Sequence, residues 1–460
     1  MKKPLWFITP CLCLLIASCA DMKTAKVAYV NGDYATTRKN LQELANRGFP
    51  EAQTKLGEMD MEGLGKPADQ KAGVQLFNTA LQENDTGAMV AMGKAYRTGT
   101  GVPVDRVKAR SYFDKALASD DPHGFYQLGL LEEDENNLPA AESDFNKALQ
   151  AGYIKAWYQL GVIAEMKRNL PLANQYFNNA VAAGDTMAYY RLGRLHMALH
   201  MYPEAEKDFN RSIDTGHAQA YYQRGVLHEG TNQPDAAISD YTKAAANGAR
   251  SAYRRLGEIY IAKNDLGLAE QAYSKGIAAG DTELYYRRAK LYEQMGKNQL
   301  AEADFKQAAA VGENRAYYSL GNLYKVEGSS SLAEWGFEKS VAAGNDGAYL
   351  PLGDAQRLQG KFAPAYENYQ QALSHGNHKA YLRIAEMYRK GEGRPVDNVK
   401  ALTYLMKARN LGMPNVDTKI AHLEKKLQPD GLAKVYDLVG GKVNDVSSTN
   451  TGTGTVAQTP

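Results

Sequence analysis

Three histidines are spaced in a way that suits metal coordination. His196 and His200 stand four residues apart on one predicted helix face, and His228 follows His196 after 32 residues. Imidazoles on adjacent helices can bind a transition metal. However, no cysteine or carboxylate completes the set at the expected spacing. Tyrosines also take the equivalent positions further along the chain, at Tyr260, Tyr292, Tyr324 and Tyr388. We therefore interpret the histidines as packing residues and expect no metal and no cofactor.

Catalytic chemistry has little support elsewhere. The sequence contains no Gly-x-x-x-x-Gly-Lys phosphate loop, no His-Glu-x-x-His motif and no visible pairing of a nucleophile with a base. It has 54 basic and 52 acidic residues, and two of the basic ones, Lys2 and Lys3, belong to a predicted signal peptide. A formally neutral mature chain argues against nucleic-acid binding driven by net charge. We predict that the protein is not an enzyme.

The N-terminus has the pattern of a signal peptide, because Lys2 and Lys3 precede an apolar run, at residues 5–16, that is too short to span a bilayer. The segment Ile16-Ala17-Ser18-Cys19 resembles the lipobox of bacterial lipoproteins. That resemblance implies cleavage before Cys19 and acylation of its sulfur. The alternative is an ordinary secretory signal that is cut near Ala20.

The residues around Cys19 also indicate the cellular compartment of the protein. Cys11 and Cys13 fall within the predicted signal, so the mature chain has neither a disulfide nor a cysteine metal site. The lipoprotein resemblance implies sorting by the residue after the acylated cysteine. Because Ala20 takes that position and Asp21 is one place later, we expect an outer-membrane anchor with the chain facing the periplasm.

Small residues recur along the chain at a fixed interval, which predicts an array of helical repeats. The spacing is 36 residues twice and then 32 residues eight times, through Gly57, Gly93, Gly129, Gly161, Gly193, Gly225, Gly257, Ala289, Gly321, Gly353 and Ala385. Within one repeat, apolar residues follow a helical period from Ala156 to Ala164, and Pro171 marks the start of a second helix. Gly184 ends that helix in the position of a left-handed cap. Each repeat is therefore expected to be a helix pair that buries its apolar face against its neighbours.

This pattern resembles the tetratricopeptide (TPR) and Sel-like (SLR) repeat families. The SLR signature is clearest at Gly63-Leu64-Gly65, in the segment 99–105 (Gly-Thr-Gly-Val-Pro-Val-Asp) and in the segment 391–397 (Gly-Glu-Gly-Arg-Pro-Val-Asp). The resemblance implies an all-α fold, a right-handed superhelical solenoid of about eleven helix pairs with capping helices at the C-terminus.

The domain boundaries follow from this assignment. We predict a lipoprotein signal peptide at 1–18, a lipidated N-terminus with a half-repeat at 19–50, and the repeat solenoid at 51–412. Two amphipathic helices at 413–445 are expected to cap the array. The segment 446–460 is rich in Ser, Thr and Gly and is expected to be disordered.

Tyrosines recur in two adjacent positions of the repeat, and the chain has 30 of them against 11 phenylalanines. One aromatic series is expected to pack between helices: Trp157, Tyr189, Tyr221, Tyr253, Tyr285, Tyr317, Tyr349 and Tyr381. In the TPR families the position next to it faces the concave groove. Here that position holds Tyr126, Tyr158, Tyr190, Tyr222, Arg254, Tyr286 and Tyr318.

Arginines accompany the second series, among them Arg191 and Arg287. Rings beside guanidinium groups suit a protein partner, and also an acidic or carbohydrate partner. The alternative is a solvated helix face whose arginines pair with Glu133, Glu165, Glu229, Glu258 and Glu293. The sequence leaves both interpretations open.

A narrower resemblance concerns function. Gly32-Asp33-Tyr34-Ala35-Thr36, followed by the half-repeat up to Leu56, the lipobox and the SLR repeats, is similar in organisation to the scaffold lipoproteins of alginate export. That resemblance implies a non-catalytic scaffold that assembles periplasmic and outer-membrane proteins for exopolysaccharide biosynthesis and export. A general periplasmic adaptor for envelope assembly or stress is the alternative, and an enzyme related to the cell wall or to β-lactams is a third hypothesis.

Overall fold

The computed structural model describes residues 21–440, and every regular element in that range is a helix, as the sequence predicts. Residues 21–30 are helical. The helices that follow are α1 (Tyr34–Asn46), α2 (Pro50–Glu62), α3 (Gln70–Leu81), α4 (Thr86–Thr98), α5 (Arg106–Ala118), α6 (His123–Asp134), α7 (Leu138–Gln150), α8 (Ala156–Met166), α9 (Leu170–Ala182), α10 (Met187–Ala198), α11 (Tyr202–Asp214), α12 (Gln219–Gly230), α13 (Pro234–Ala246), α14 (Ser251–Ala262), α15 (Leu266–Ala278), α16 (Leu284–Gln294), α17 (Asn298–Ala310), α18 (Arg315–Val326), α19 (Ser330–Ala342), α20 (Tyr349–Leu358), α21 (Phe362–Ser374), α22 (Ala380–Lys390), α23 (Asn398–Asn410), α24 (Asp417–Glu424) and α25 (Pro429–Val439). A 3-10 turn, Asp346–Ala348, precedes α20. The predicted signal peptide, Cys19 and the predicted disordered tail lie outside the described residues.

The chain divides between Gln233 and Pro234 into two compact units. The first unit contains α1, the pairs α2/α3 to α10/α11, and α12. The second contains α13, the pairs α14/α15 to α22/α23, and then α24 and α25. In each unit the second helix of a pair packs on the first helix of the next pair, which makes each unit a helical-repeat solenoid. We call α2, α4, α6 and so on to α22 the first helices, and their partners the second helices.

The recurring glycines let the two helices of a pair approach closely. A Cβ atom placed on Gly161 in α8 would lie 2.5 Å from Cδ1 of Phe177 in α9, which is too close for any side chain. Phe177 itself is fully buried. The same contact joins Gly129 to Phe145 and Gly353 to Tyr369. One large ring per pair is thus accommodated only because its neighbour has no side chain.

The longer repeats turn differently between their helices. Gly99 ends α4 with a φ of +75°, a left-handed conformation that glycine adopts without strain. Asp105 then begins α5, and its side chain accepts a hydrogen bond from the backbone N–H of Lys108 at 3.0 Å. This side-chain cap satisfies one of the free N–H groups at the helix start. The extra residues of the SLR signature therefore form the turn and the cap.

Polar contacts 22 residues apart link consecutive helix pairs. In the second unit the hydroxyl of Tyr324 donates a hydrogen bond to Glu302, and the hydroxyl of Tyr292 does the same to Glu270. In the first unit Arg110 forms an ion pair with Glu132 at 2.7 Å. Other residues occupy the positions equivalent to Arg110 and Glu132 in later repeats. Two repeats further on they are Asn174 and His196, and three repeats further on they are Glu206 and His228. Equivalent positions thus carry different chemistry from repeat to repeat.

No helix within residues 21–440 has both the length and the apolar character needed to cross a membrane.

Candidate binding surface on the first helices

The predicted groove residues lie where the first helices of consecutive pairs meet. The position occupied by Tyr158 contacts the residue 33 places later, which belongs to the next first helix. This relationship holds for Tyr158 with Arg191, for Tyr126 with Gln159, and for Tyr286 with Ser319. We call the surface formed by these side chains the first-helix face, and we describe it separately in each unit.

The best-defined contact of the first unit joins three side chains. Arg191 donates from Nε to the hydroxyl of Tyr158 at 3.2 Å and from Nη1 to Oε2 of Glu165 at 3.2 Å. Its guanidinium carbon also lies 5.9 Å from the centroid of the Tyr158 ring. Two predicted site residues thus meet, and the glutamate pairing proposed as the alternative interpretation is also present. The Tyr158 ring packs on the core ring of Phe177 at 5.8 Å.

The other predicted tyrosines of the first unit are also half-buried. The Tyr126 ring lies 5.5 Å from Phe145, and the Tyr190 ring lies 6.4 Å from Phe209. Tyr222 is half-buried near the end of the unit. Each of the first two therefore rests on the core ring of its own pair, and the edge that remains accessible is a small amphipathic surface.

In the second unit the predicted residues border a cleft of about 640 Å3. Tyr286 and Arg287 line this cleft, and Arg287 forms an ion pair with Glu258 at 2.9 Å. The guanidinium of Arg315 lies over the Tyr286 ring at 4.8 Å. Both basic and acidic side chains line the cleft, so it suits a partner that carries both charges.

The remaining predicted residues of the second unit are half-buried as well. The Tyr318 ring lies 5.7 Å from Phe337. Arg254 replaces the tyrosine of its repeat, and its charge, like that of Arg287, opposes the rise in the Tyr273 pKa. Arg254 thus acts on the cleft electrostatically.

The sequence interpretation did not identify Tyr273, which also lines the cleft. Its ring takes the central position of a second helix and passes beside Gly257. Burial raises its pKa to about 12, and Glu258 adds to that rise. The signal was present in the sequence, because tyrosine replaces phenylalanine in the central series at this repeat.

The two aromatic series resemble each other more than the sequence predicts. Every member of the series that begins with Trp157 is half-buried rather than fully buried. Trp157 packs on Tyr176 of a second helix at 5.7 Å, and the guanidinium of Arg211 lies over the Tyr189 ring at 5.4 Å. In every pair except the last, α22/α23, the fully buried aromatic is instead the central ring of the second helix, such as Phe177.

The three histidines have separate partners. His196 Nδ1 lies 2.7 Å from Asp208, and His228 Nε2 lies 3.6 Å from Glu206. His200 contacts the hydroxyl of Tyr202 at 2.9 Å. Within residues 21–440, no group of three His, Cys, Asp or Glu side chains is placed to hold a metal ion.

Comparison with repeat families assigns both kinds of repeat. Residues 50–85, 86–121 and 378–413 match the Sel1 repeat. Residues 126–188, 190–249, 222–283 and 282–311 match tetratricopeptide repeats. The chain is therefore a helical-repeat protein of the Sel1-like and tetratricopeptide type, and repeats of this kind generally mediate protein–protein interactions. Comparison with curated proteins gave no match.

Solved structures with similar folds include three helical-repeat proteins. A protective antigen of uropathogenic Escherichia coli with an SLR fold is 22% identical over 91% of this chain and 99% of that chain, with a TM-score of 0.46. A Sel1 repeat protein from Oxalobacter formigenes is 18% identical over 49% of this chain and 96% of that chain, with a TM-score of 0.40. A tetratricopeptide repeat protein from Parabacteroides merdae is 20% identical over 51% of this chain and 98% of that chain, with a TM-score of 0.34.

Proposed function

We propose that the chain is a non-catalytic scaffold that holds protein partners along the first-helix face. The observation that carries the proposal is the recurrence of half-buried tyrosines beside arginines on that face, as in Tyr158 with Arg191. Tyrosine and arginine often anchor protein interfaces, because each combines buried area with directed hydrogen bonds. The ion pairs on this face hold several of the charged side chains in place, so a partner has fewer groups to order on binding.

We further propose that the scaffold is anchored in the outer membrane through Cys19, faces the periplasm and serves a complex that makes and exports an exopolysaccharide. The support comes from the sequence. The lipobox predicts the anchor, and the organisation of the chain is similar to that of the alginate-export scaffolds. A tethered array would keep its partners close to the membrane and raise their effective concentration for one another.

Site-specific photo-crosslinking in the native host tests the proposal. A photoreactive amino acid at Tyr190 places the probe on the first-helix face, and the same group at Lys207 serves as the control, because Lys207 is exposed on the second helix α11 of the same pair. We expect defined crosslinked products from position 190 and few from position 207. Equal, diffuse crosslinking at both positions would count against a binding face.

The identity of the crosslinked proteins tests the finer proposal. Polysaccharide-modifying enzymes or an outer-membrane β-barrel would support a role in export. Envelope proteins unrelated to polysaccharide would instead favour the general adaptor. In either case Arg191→Ala in the same chain should weaken crosslinking at position 190, because Arg191 lies beside it on that face.

A further inference from the structure

On the first-helix face of the first unit, two neighbouring sets of three residues occupy equivalent repeat positions but differ in charge. In one, Arg191 donates to both Tyr158 and Glu165, as described above. The other lies one 32-residue repeat earlier and consists of Tyr126, Glu133 and Gln159 at the equivalent positions. The second set therefore has the same tyrosine and the same glutamate, but an amide where the first has a guanidinium group.

The amide replaces only part of what Arg191 does. The side chain of Gln159 lies beside the hydroxyl of Tyr126 and lowers its pKa, at the position from which Arg191 donates to Tyr158 one repeat later. It brings no charge to Glu133, whose carboxylate has no hydrogen-bond partner in the described part of the chain. The cation that acts on Glu133 is Arg97, and Arg97 forms its ion pair with Asp134 at 2.7 Å.

The surroundings of Glu133 favour a positive ligand. Burial raises its pKa to about 7, the charge of Asp134 adds to the rise, and Arg97 opposes it. The pKa of Tyr126 is likewise raised to about 12, mainly by burial and by Tyr153, with further contributions from Glu133 and Asp185. The Tyr126 ring meets Tyr153 at 4.8 Å. Rings and carboxylates together stabilise a cation by π contact and by ion pairing.

We propose that Tyr126, Glu133 and Gln159 bind the guanidinium group of an arginine side chain on a protein partner. Arginine is favoured over lysine because its planar fork reaches two acceptors at once, as Arg191 shows one repeat further on. The site rests on the proposed scaffold function, since it needs a protein partner, and it specifies the chemistry of one contact that the partner makes.

A small probe tests the site without any partner. N-acetyl-arginine amide is titrated into the protein and followed by NMR shifts of Tyr126 and Gln159, with N-acetyl-citrulline amide as the neutral control of the same shape. We expect shifts with the arginine probe only, and affinity about tenfold weaker in Glu133→Gln. Absence of shifts with the arginine probe, or equal shifts with both probes, would overturn the site.

A second variant fills the site from within. Gln159→Arg recreates the arrangement of Arg191 and should lower the pKa of Glu133 and abolish probe binding. Gln159→Met should leave the Glu133 pKa near 7 and weaken probe binding without abolishing it. An unchanged Glu133 pKa in a folded Gln159→Arg variant would refute the proposed geometry. If the arginine probe does not bind but a photoreactive group at position 190 still gives defined crosslinks, this site alone is rejected. If position 190 gives no defined crosslinks, the proposed scaffold face is rejected.

Discussion

The hydroxyl of Tyr324 in α18 donates a hydrogen bond to Oε1 of Glu302 in α17 at 2.7 Å, and this bond joins two consecutive helix pairs. Tyr324 is only 3% exposed, so water has little access to its hydroxyl if the bond to Glu302 is lost. We expect Tyr324→Phe to lower the free energy of unfolding by about 1 kcal/mol, because it removes the hydroxyl and keeps the ring. Tyr318→Phe is the control, since the Tyr318 ring packs on Phe337 and its hydroxyl has no hydrogen-bond partner within residues 21–440. Denaturant unfolding followed by circular dichroism measures the free energy of unfolding of both variants. Equal losses would contradict a stabilising hydrogen bond between Tyr324 and Glu302.

The buried tyrosines also predict a loss of stability in alkali. Burial, with a hydrogen bond to Glu302, raises the pKa of Tyr324 to about 12, and burial also raises that of Tyr273 to about 12, from an ordinary value of 10.0. Between these pH values the folded state holds protons that the unfolded chain has released. Stability should therefore fall as the pH rises from about 10 to about 12. Ultraviolet titration of tyrosinate, run beside circular dichroism, checks this: ionisation of these tyrosines well below pH 12 in a folded chain would contradict it.

The contact between Gly161 and Phe177 predicts a cost for any side chain at position 161. Gly161→Ala places a methyl group against the ring and should lower the free energy of unfolding by about 1–3 kcal/mol. Gly267→Ala adds the same methyl group to a helix where only a side-chain oxygen of Asp265 lies within 4 Å. That control should be neutral or stabilising by up to about 1 kcal/mol. Hydrogen exchange should show the loss concentrated around α8 and α9, since repeats depend mainly on their neighbours. A stabilised Gly161→Ala variant would disprove the close packing.

The glycine–ring contacts could be predicted from the sequence because both residues recur with the repeat, 16 positions apart in the 32-residue repeats and 20 in the longer ones. The contacts of the first-helix face could be predicted only in part. That Arg191 meets Tyr158 while Gln159 meets Tyr126 depends on how closely successive first helices approach, and periodicity alone does not fix that distance. For the same reason Tyr189, expected in the core, is half-buried beneath Arg211. Periodicity identifies which residues are equivalent, whereas packing decides how far each one is buried.

The raised pKa of Glu133 predicts that stability changes with pH in the opposite direction from that expected for an ordinary ion-paired carboxylate. Its pKa is raised from 4.5 to about 7 in the folded chain, so folding is favoured by its protonated form. Stability should fall as the pH rises from about 4.5 to about 7. Glu133→Gln removes this contribution and should be the more stable protein at pH 8 but not at pH 4. Denaturation midpoints measured from pH 4 to pH 8 test the difference between the wild type and Glu133→Gln. If the midpoints of the two proteins change with pH in parallel, the raised pKa of Glu133 is ruled out.

Cys19 predicts attachment to the membrane. Cys19→Ser should abolish labelling by palmitate and release the chain into the soluble periplasmic fraction, because each buried CH2 of an acyl chain contributes about 0.8 kcal/mol to anchoring. Cys13→Ser is the matched control, since it changes a cysteine within the predicted signal and leaves the lipobox intact. Membrane fractionation compares the two. A wild-type chain that takes up no palmitate would remove the basis for an anchor.

The contacts 22 residues apart carry a consequence for assembly during folding. Repeats this similar can stack in the wrong order, and a shifted stack would bury nearly the same apolar area. The carboxylate lies on the first helix in the contact of Glu132 with Arg110, but on the second helix in the contact of Glu206 with His228. A misordered stack that brought Glu132 onto Glu206 would oppose two carboxylates and leave Arg110 without its partner. Because the chemistry at these equivalent positions differs between repeats, a wrong neighbour would lack the polar contacts that the right neighbour makes.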